Sequence, residues 1–162
     1  PIGMTHSTFL MTDVDSANLA LGHESSPTGQ RRGYPYNRRH AGSSTMHSNV
    51  EDMLRYGAAL AQRSPALLKP ASYDEMWRGQ RDLTANMGGE RIRYNVTKVE
   101  MGLGWFLREV GGTVVMDHGG ADRGFRSYLL VSPSRKTAVV VFLNSDLNAA
   151  PLAFPLLAAA LR

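Results

Sequence analysis

The tripeptide His118-Gly119-Gly120 consists of residues whose types and order are those of a catalytic site. An imidazole can hydrogen-bond to a substrate and exchange a proton near neutral pH, and glycines let another backbone lie directly against the chain. The tripeptide follows one apolar run and precedes two more, so we expect it to form a turn at the end of a strand. A strand-end histidine followed by a simple glycine bulge has the same pattern. The neighbouring residues must therefore decide between an active site at a sheet edge and an ordinary turn.

A nucleophile that could work with His118 is not apparent. The chain has no cysteine, which excludes a thiolate nucleophile. The tripeptide therefore predicts the edge of an active site without the group that attacks the substrate.

Metal and cofactor motifs are also absent from the sequence. The histidines form no His-Glu-x-x-His motif, and the spacing from His40 to His47 does not place both on one helical face. Asp13 and Asp15 begin like a calcium loop but lack its glycine and distal glutamate. Gly102-x-Gly104 precedes a strand rather than a helix, so no phosphate-binding loop is predicted. We predict no metal site and no cofactor.

The composition is that of a globular protein. Hydrophobic residues make up 43% of the 162 residues, enough for one domain with a core or for part of a larger domain. No apolar run reaches the roughly 18 to 20 residues that a membrane span needs. The formal net charge is +4, and the segment GQRRGYPYNRRH combines arginines with tyrosines as some nucleic-acid-binding surfaces do. Because acidic residues are spread along the chain, we interpret this segment as a solvated loop and predict no nucleic-acid partner.

Two segments have the features of helices. Residues 47–62, HSNVEDMLRYGAALAQ, contain Ser48 and Glu51, which fit a capping box in which each side chain satisfies a backbone N–H group. The apolar residues of this segment recur at helical spacing and predict one buried stripe. They are Val50, Met53, Leu54, Gly57, Leu60 and Ala61. A second capping pattern, Ser72 to Glu75, predicts a shorter helix.

Strands are predicted as two hairpins near the end of the chain. MGLGWFLREV and TVVMDH are separated by Gly111-Gly112, which can adopt the positive φ angles of a two-residue turn. GFRSYLLV and TAVVVFLN are joined by SPSRK, in which Pro133 donates no ladder hydrogen bond. The last of these strands is almost entirely apolar, which predicts a cover on both faces of the sheet. We expect residues 151–161, with Pro151 in the first turn and Pro155 bending the segment, to form one cover.

This order of elements, together with a series of short blocks, resembles the C-terminal half of the serine β-lactamase and penicillin-binding-protein family. The relevant branch includes class C β-lactamases, D-alanyl-D-alanine carboxypeptidases, D-amino-acid amidases and related esterases. The blocks are PIGMTHSTF (1–9), NLALGHE (18–24), AGSSTMHSNVEDMLRYGAALAQ (41–62), MGLGWFL (101–107) and HGGADRGFRSYLLVSPSRKTAVVVFLNSD (118–146). The resemblance implies an α+β fold, namely the C-terminal part of a β-lactamase/transpeptidase-like fold. Antiparallel strands would be flanked by a C-terminal helix and by part of a helical lobe.

The resemblance also implies roles for the tripeptide. In the family, Ser-x-x-Lys supplies the nucleophile, Tyr-x-Asn or Ser-x-Asn assists proton transfer, and Lys or His followed by Thr, Ser or Gly and then Gly lines the site. The tripeptide matches the third motif, so His118 would orient the substrate or its carboxylate. Gly119 and Gly120 would let the substrate lie against the strand, and the backbone N–H of Ala121 would form half of the oxyanion hole. Ser16-Ala17-Asn18 has the form of the second motif but lies on the wrong side of the PIGM block, and we interpret it as a turn or helix start.

The first two motifs of the family are absent, because no serine has a lysine three positions later and no tyrosine has an asparagine two positions later. We therefore expect the chain to be the C-terminal portion of a larger protein. Residues 1–99 would form the latter part of the helical lobe, with loops over most of 13–47 and 79–98, and residues 100–162 the returning strands and last helix. The sheet edge where the family's first strands lie would be open, and exposed apolar edges favour association. The predicted partners are the N-terminal half of the same protein or a second copy through that edge, besides a small-molecule or peptide substrate.

The resemblance implies a serine hydrolase that acts through an acyl-enzyme intermediate when complete, with this chain inactive on its own. The substrate would be a β-lactam, a D-amino-acid peptide or amide, or an ester. Histidine and glycine at the first two positions of the third motif favour a peptidase, amidase or esterase over a dedicated β-lactamase. The alternatives are a non-catalytic binding domain that keeps this fold and, less favoured, a basic nucleic-acid-binding module. A periplasmic or secreted location is implied by the family alone.

Overall fold

The computed structural model describes residues 2–24 and 38–162. Their strands form one antiparallel sheet of six strands, in which each strand pairs with the next one along the chain. The strands are β1 (Arg81–Asp82), β2 (Val96–Met101), β3 (Phe106–Val110), β4 (Thr113–Asp122), β5 (Phe125–Ser132) and β6 (Thr137–Leu143). The predicted α+β fold class is confirmed.

Helices cover both faces of this sheet. The α-helices of the described residues are α1 (Ala41–Ser44), α2 (Val50–Ala61), α3 (Pro70–Met76), α4 (Glu90–Arg93) and α5 (Ala150–Ala160). Single 3-10 turns occupy Met11–Asp13, Arg38–His40 and Thr84–Asn86. α2 lies very close to β6, since a Cβ atom added at Gly57 would be 2.8 Å from the Cβ atom of Ala138. α5 covers the opposite face, where Phe154 and Leu157 are buried, so the predicted cover on both faces is confirmed.

Two apolar cores result from the alternation of side chains along the strands. Val115 on β4 belongs to the core under α5, whereas the next residue, Met116, belongs to the core under α2 and α3. Leu130 and Leu60 are almost fully buried in the first and second core. Burial of each such side chain contributes about 1.5–3 kcal/mol. Both faces of the sheet therefore contribute to stability.

Both predicted hairpins form, but the strand predicted over MGLGWFLREV begins only at Phe106. Val110 pairs with Thr113 across Gly111-Gly112, whose φ angles of 55° and 77° are those of a two-residue turn that glycine adopts without strain. The turn between β5 and β6 contains Pro133, whose carbonyl accepts a hydrogen bond from the N–H of Lys136. Together with the turn that follows Asp122, these two turns fix the register of β3 with β4, of β4 with β5 and of β5 with β6.

The start of α2 differs from the predicted capping box. Asn49 is the N-cap, and its side-chain oxygen accepts a hydrogen bond from the N–H of Asp52 at 2.8 Å. The box predicted for Ser48 and Glu51 is wrong, because the Ser48 hydroxyl bonds to the Ser7 hydroxyl and the Glu51 carboxylate pairs further along the helix. Asparagine and serine are comparably good caps, so the tertiary bond of Ser48 decides between them.

The start of α3 also lies elsewhere. The helix begins at Pro70, with Lys69 as a cap that makes no side-chain capping bond. Ser72 and Glu75 are inside the helix, so the second predicted capping box is wrong. Proline at the first position supplies the helical φ angle and removes one of the N–H groups that would lack a partner, so it favours a helix start at Pro70.

Residues 79–98, predicted to be loop, contain β1 and the beginning of β2, and that prediction was wrong. The pairing of β2 with β3 shifts its register between Val96 and Lys98. This irregularity lets Val96 and Val99 both reach the core under α5, although their odd spacing would otherwise place them on opposite faces. The alternation by which a strand is recognised is therefore missing from the sequence. β2 also crosses position 99, where we divided the chain, and the two-part division stays a prediction.

The apolar stripe predicted for α2 is partly buried. Met53, Gly57, Leu60 and Ala61 are buried. Val50 and Leu54 are 45% and 42% exposed. Val50 lies instead at the rim of an apolar groove between α2, β6 and α5.

Candidate active site

β4 continues through the tripeptide that we predicted to form a turn, and that prediction was wrong. The tripeptide pairs with residues 127–129 of β5 in an unbroken ladder, without a bulge, that extends to Asp122. The chain reverses at Arg123-Gly124, where the glycine has a φ of 73°. Each glycine has a backbone N–H and C=O that can pair with a neighbouring strand, so β5 can hold two successive glycines in the sheet.

The two edges of β4 are covered to different extents. β3 pairs with residues 113–117 and begins at Phe106, opposite Asp117. β5 pairs with residues 116–122. Among the described strands, residues 118–122 therefore have a neighbour on one side only, and we call them the open half of β4. Backbone groups along an unpaired edge can bind an extended ligand as an additional strand.

The segment before β3 explains why this edge is open. The N–H of Gly102 donates to the carbonyl of Trp105 at 2.8 Å, and Gly104 has a φ of 73°, which together form a tight turn. The N–H of Leu103 donates to the carbonyl of Met76 at the end of α3, at 3.0 Å. A Cβ atom at Gly102 would lie 2.6 Å from that carbonyl oxygen, so a larger residue does not fit. The chain is thus attached to α3 instead of extending β3 alongside the open half.

The predicted site residues lie together in the open half. His118, Gly119, Gly120 and Ala121 are all exposed. The His118 ring lies 6.2 Å from the ring of Phe106, with an angle of 29° between their planes. The imidazole is therefore next to the point where β3 begins and the edge of β4 becomes open. The roles assigned to these four residues stay predictions.

The two glycines differ in how much space surrounds them. A Cβ atom at Gly120 would lie 2.2 Å from the hydroxyl oxygen of Ser127, a distance that no side chain tolerates. At Gly119 the nearest atoms, in the Tyr128 ring, would be 3.4 Å away, which is an ordinary contact. The Ser127 hydroxyl thus occupies the space that any side chain at position 120 would need.

A buried ion pair lies directly behind the tripeptide. Arg108 Nε donates to Asp117 Oδ2 at 2.6 Å, and the Tyr128 hydroxyl donates to Asp117 Oδ1 at 2.8 Å. We call these residues the buried triad. The Asp117 side chain is fully buried and that of Arg108 is 9% exposed, with its guanidinium over the rings of Phe106 and Phe154. Burial raises the pKa of the Asp117 carboxyl, and Arg108 and Tyr128 oppose that rise.

A small cleft lies beside the open half, at the beginning of α5. It has a volume of about 270 Å³ and is lined by Gly119, Gly120, Ala121, Arg126, Ser127, Tyr128, Asp146, Asn148 and Ala149. Arg126 and Asp146 form an ion pair at 3.1 Å, and Asp146 also accepts a hydrogen bond from the N–H of Gly124 at 2.8 Å. These contacts fix the turn between β4 and β5. The cleft therefore has a polar wall held by charged side chains next to the glycines.

The block PIGMTHSTF is attached to α2 through Asp52. The N–H of His6 and the hydroxyl of Ser7 donate to Asp52 Oδ2 at 2.7 and 2.8 Å, and Arg55 donates to Oδ1 at 2.9 Å. Burial acts to raise the pKa of the Asp52 carboxyl, but these hydrogen bonds outweigh it and hold that pKa below its ordinary value. The beginning of the chain is thus fixed on the helical side of the sheet.

The described residues bring no recognisable nucleophile to the open half. Ser127, the serine opposite Gly120, is on β5 and is not followed by a lysine three residues later. Ser16-Ala17-Asn18 is a turn, as predicted, because the N–H of Ala17 and the side chain of Asn18 bind the Asp15 carboxylate. Within residues 2–24 and 38–162, no three His, Asp or Glu side chains are close enough to hold a metal ion.

Sequence reasoning missed the buried triad. Arg108, Asp117 and Tyr128 are on three strands, and their spacing in the chain contains no motif. One signal was available: Asp117 interrupts the apolar run TVVM immediately before His118, and a carboxyl inside a buried strand requires partners.

Two further observations concern the predicted partners. None of the helices in the described ranges combines the length and the apolar character needed to cross a membrane. The nucleic-acid alternative was based on four arginines and two tyrosines. Four of these residues lie outside the described ranges, namely Arg31, Arg32, Tyr34 and Tyr36, whereas Arg38 and Arg39 lie in a 3-10 turn.

Comparisons with solved structures agree with this architecture. A penicillin-binding protein homologue from Pyrococcus abyssi, described as octameric, superposes with a TM-score of 0.79 at 20% identity, over 99% of this chain and 35% of the homologue. A D-stereospecific amidohydrolase from Streptomyces sp. superposes with a TM-score of 0.66, also at 20% identity, over 90% of this chain and 41% of that enzyme. At such identities the likeness concerns the fold. The chain thus corresponds to less than half of either solved chain.

Sequence comparison gives a more specific result. A curated relative, the unguisins hydrolase ungD' of Aspergillus campestris (strain IBT 28561), is 27% identical over 105 residues, which are 65% of this chain and 18% of that protein. The family model described as Beta-lactamase matches residues 1–162. The chain therefore belongs to the Beta-lactamase family, as the resemblance predicted.

Proposed function

We propose that the open half of β4 is the acyl-binding strand of a serine hydrolase whose nucleophile lies outside these 162 residues. The observation that supports this most strongly is the exposed His118-Gly119-Gly120 on a strand whose outer edge has no neighbour among the described strands. An extended substrate placed along that edge would pair with the backbone of β4. The glycines leave its path unobstructed.

The chemistry follows from this placement. A serine hydroxyl from the rest of the protein attacks the substrate carbonyl carbon, and the developing oxyanion receives a hydrogen bond from the N–H of Ala121. The bond to the leaving nitrogen or oxygen then breaks, the leaving group takes the proton, and water later hydrolyses the acyl-enzyme. His118 orients the substrate or its carboxylate during these steps. Electrostatic stabilisation from one such N–H group is worth about 10²–10³ in rate.

The proposed substrate is a D-amino-acid peptide or amide, or an ester, with a β-lactam as the less favoured choice. Gly119 presents no side chain to the substrate, and an exposed imidazole replaces the lysine that is the other choice at position 118 in this family. One of the relatives is described as a hydrolase of unguisins and one of the structural neighbours as a D-stereospecific amidohydrolase. The second description supports a substrate with an amide bond.

The proposed partner is the N-terminal half of the same protein, bound at β6. Among the described strands β6 pairs with β5 alone, and an apolar groove of about 460 Å³ runs along it. Phe142, Leu152 and Leu156, which line this groove, are 37–52% exposed. An exposed apolar edge strand is a surface on which another strand pairs readily. A monodisperse monomer with one cooperative melting transition, measured on this chain alone, would count against a missing partner at β6.

Labelling with acylating reagents tests the proposed function. The full-length gene product and this chain alone are each treated with a fluorophosphonate and with a fluorescent penicillin, and the modified peptide is located by mass spectrometry. We expect one modified serine in the full-length product, outside these 162 residues, and none in the isolated chain. A modified serine within the chain would refute the location of the nucleophile. No modification of a folded full-length product would favour the non-catalytic binding domain.

A further inference from the structure

We propose that the buried triad positions the open half of β4, with the Tyr128 hydroxyl as the group that transmits this effect to the tripeptide. The inference rests on the proposed function for its consequence in catalysis, but its structural part can be tested separately.

The first argument is where the triad lies. Asp117 is the last residue of β4 that has neighbours on both sides, Arg108 is on β3 and Tyr128 is on β5. One carboxylate therefore connects three strands at the position where β4 leaves β3. Beyond that position the strand depends on β5 alone.

The second argument is how Tyr128 reaches the tripeptide. Its ring lies 3.4 Å from the position of a Cβ atom on Gly119, so it supports the backbone there from the side of α5. Its hydroxyl donates a hydrogen bond to Asp117 at 2.8 Å, and its ring packs at a tilt against the Phe154 ring, with 5.9 Å between ring centroids. The hydrogen bond therefore fixes the orientation of the ring beneath Gly119.

The third argument concerns the free-energy cost of burying the ion pair. A fully buried carboxylate and an arginine that is 9% exposed must both be removed from water. Replacing such a pair with apolar residues often leaves stability unchanged or improves it, so the pair is weak evidence for a contribution to stability. A role in holding one geometry accounts better for a charged group directly behind the tripeptide, because a site must be held within about 0.5 Å of its working geometry.

The test compares two Tyr→Phe variants in the full-length gene product. Tyr128→Phe removes the hydroxyl that binds Asp117 and keeps the ring. Tyr94→Phe is the matched control. The Tyr94 ring also stacks on Phe154, with 4.4 Å between ring centroids, and its hydroxyl bonds to no described residue. Amide hydrogen exchange is measured for peptides that cover the open half and, separately, residues 106–116.

We expect Tyr128→Phe to speed exchange in the open half about tenfold, with little change over residues 106–116, because local opening there becomes easier. Tyr94→Phe should leave both unchanged. Equal exchange changes in the two variants, or a uniform increase across the sheet after Tyr128→Phe, would overturn the proposal.

A second readout separates positioning from general support. The rate of acylation by the fluorophosphonate at saturation should fall up to about 100-fold in Tyr128→Phe, with the half-saturating concentration within twofold of the parent, as misplacement of a reacting group predicts. An unchanged saturating rate would overturn the catalytic part. If the parent protein is not acylated at all, the proposed function fails, while the exchange experiment still decides whether the triad positions the strand.

Discussion

The first half of β4, residues 113–117, and its open half, residues 118–122, belong to one strand but have different surroundings. In the first half, β3 pairs with every residue and β5 pairs with the last two, and Val115, Met116 and Asp117 are buried. The open half has a partner on one edge and exposes the tripeptide. One half of the strand thus contributes to the cores, and the other half presents backbone and an imidazole to a ligand. The difference arises at Phe106, where β3 begins, and not from a break in β4 itself.

Replacing Asp117 should have the largest effect on stability. Asp117→Asn leaves the Arg108 guanidinium buried without a countercharge, and breaking a buried pair in this way costs about 3–5 kcal/mol. Urea unfolding measures the loss. The matched control is Asp122→Asn in the open half, where the amide oxygen can still accept the hydrogen bond from the N–H of Arg123 and we expect a change within about 0.5 kcal/mol. Similar losses in the two variants would remove the distinction between the halves.

Gly120→Ala tests the crowding in the open half. The new methyl group would meet the Ser127 hydroxyl at 2.2 Å, and overpacking of this kind costs about 1–3 kcal/mol. Ser127→Ala in the same chain removes the obstructing oxygen and should restore most of the lost stability. Gly119→Ala, with a 3.4 Å contact, should be tolerated. Equal losses for the two single glycine variants would contradict the geometry at position 120.

We expect the loss of unfolding free energy at low pH to come from Asp52, which lies outside the open half. The pKa of Asp52 is lower in the folded chain than its ordinary value of 3.8, so its contribution is present above that pH and is lost as pH falls through the lowered pKa. We expect Asp52→Asn to flatten the acid limb of a plot of unfolding free energy against pH. An acid limb that keeps its slope in Asp52→Asn would show that other carboxyls determine it.

His118→Ala should have the smallest effect on stability, within about 0.5 kcal/mol, because the side chain is exposed. In the full-length gene product the same change should raise KM for an amide or ester substrate about 10–100-fold, the size of a lost hydrogen bond to a charged group. His23→Ala, another exposed histidine, is the control and should change neither quantity. A stability loss as large as that of Asp117→Asn would assign His118 to the core.

The sequence predicted those parts of the fold that depend on local signals. Gly111-Gly112 and the turn at Pro133 have residue types that specify their backbone conformations, and both hairpins form as expected. β2 was missed because the irregularity at Val96 removes its alternation. The turn predicted for the tripeptide was wrong because pairing with β5, which no local pattern reveals, keeps two glycines in the strand.

The candidate site was predictable to a similar extent. His118 and the two glycines were identified from residue type and order, and they lie together because they are consecutive. The buried triad could not be derived in the same way, because Arg108, Asp117 and Tyr128 meet only after three strands have paired in register. The openness of the edge likewise depends on the attachment of Leu103 to the end of α3, a contact between distant segments.

The amide of Ala121 offers the most direct measurement of whether the open half binds the reacting carbonyl. In the full-length gene product labelled with ¹⁵N-alanine, an arylboronic acid is added, which forms a tetrahedral adduct with a reactive serine and imitates the oxyanion. The account predicts that the Ala121 amide signal shifts most among the alanines of this chain, while those of Ala138 and Ala153, on β6 and α5, stay in place. An adduct that forms while the Ala121 signal stays unmoved would contradict it.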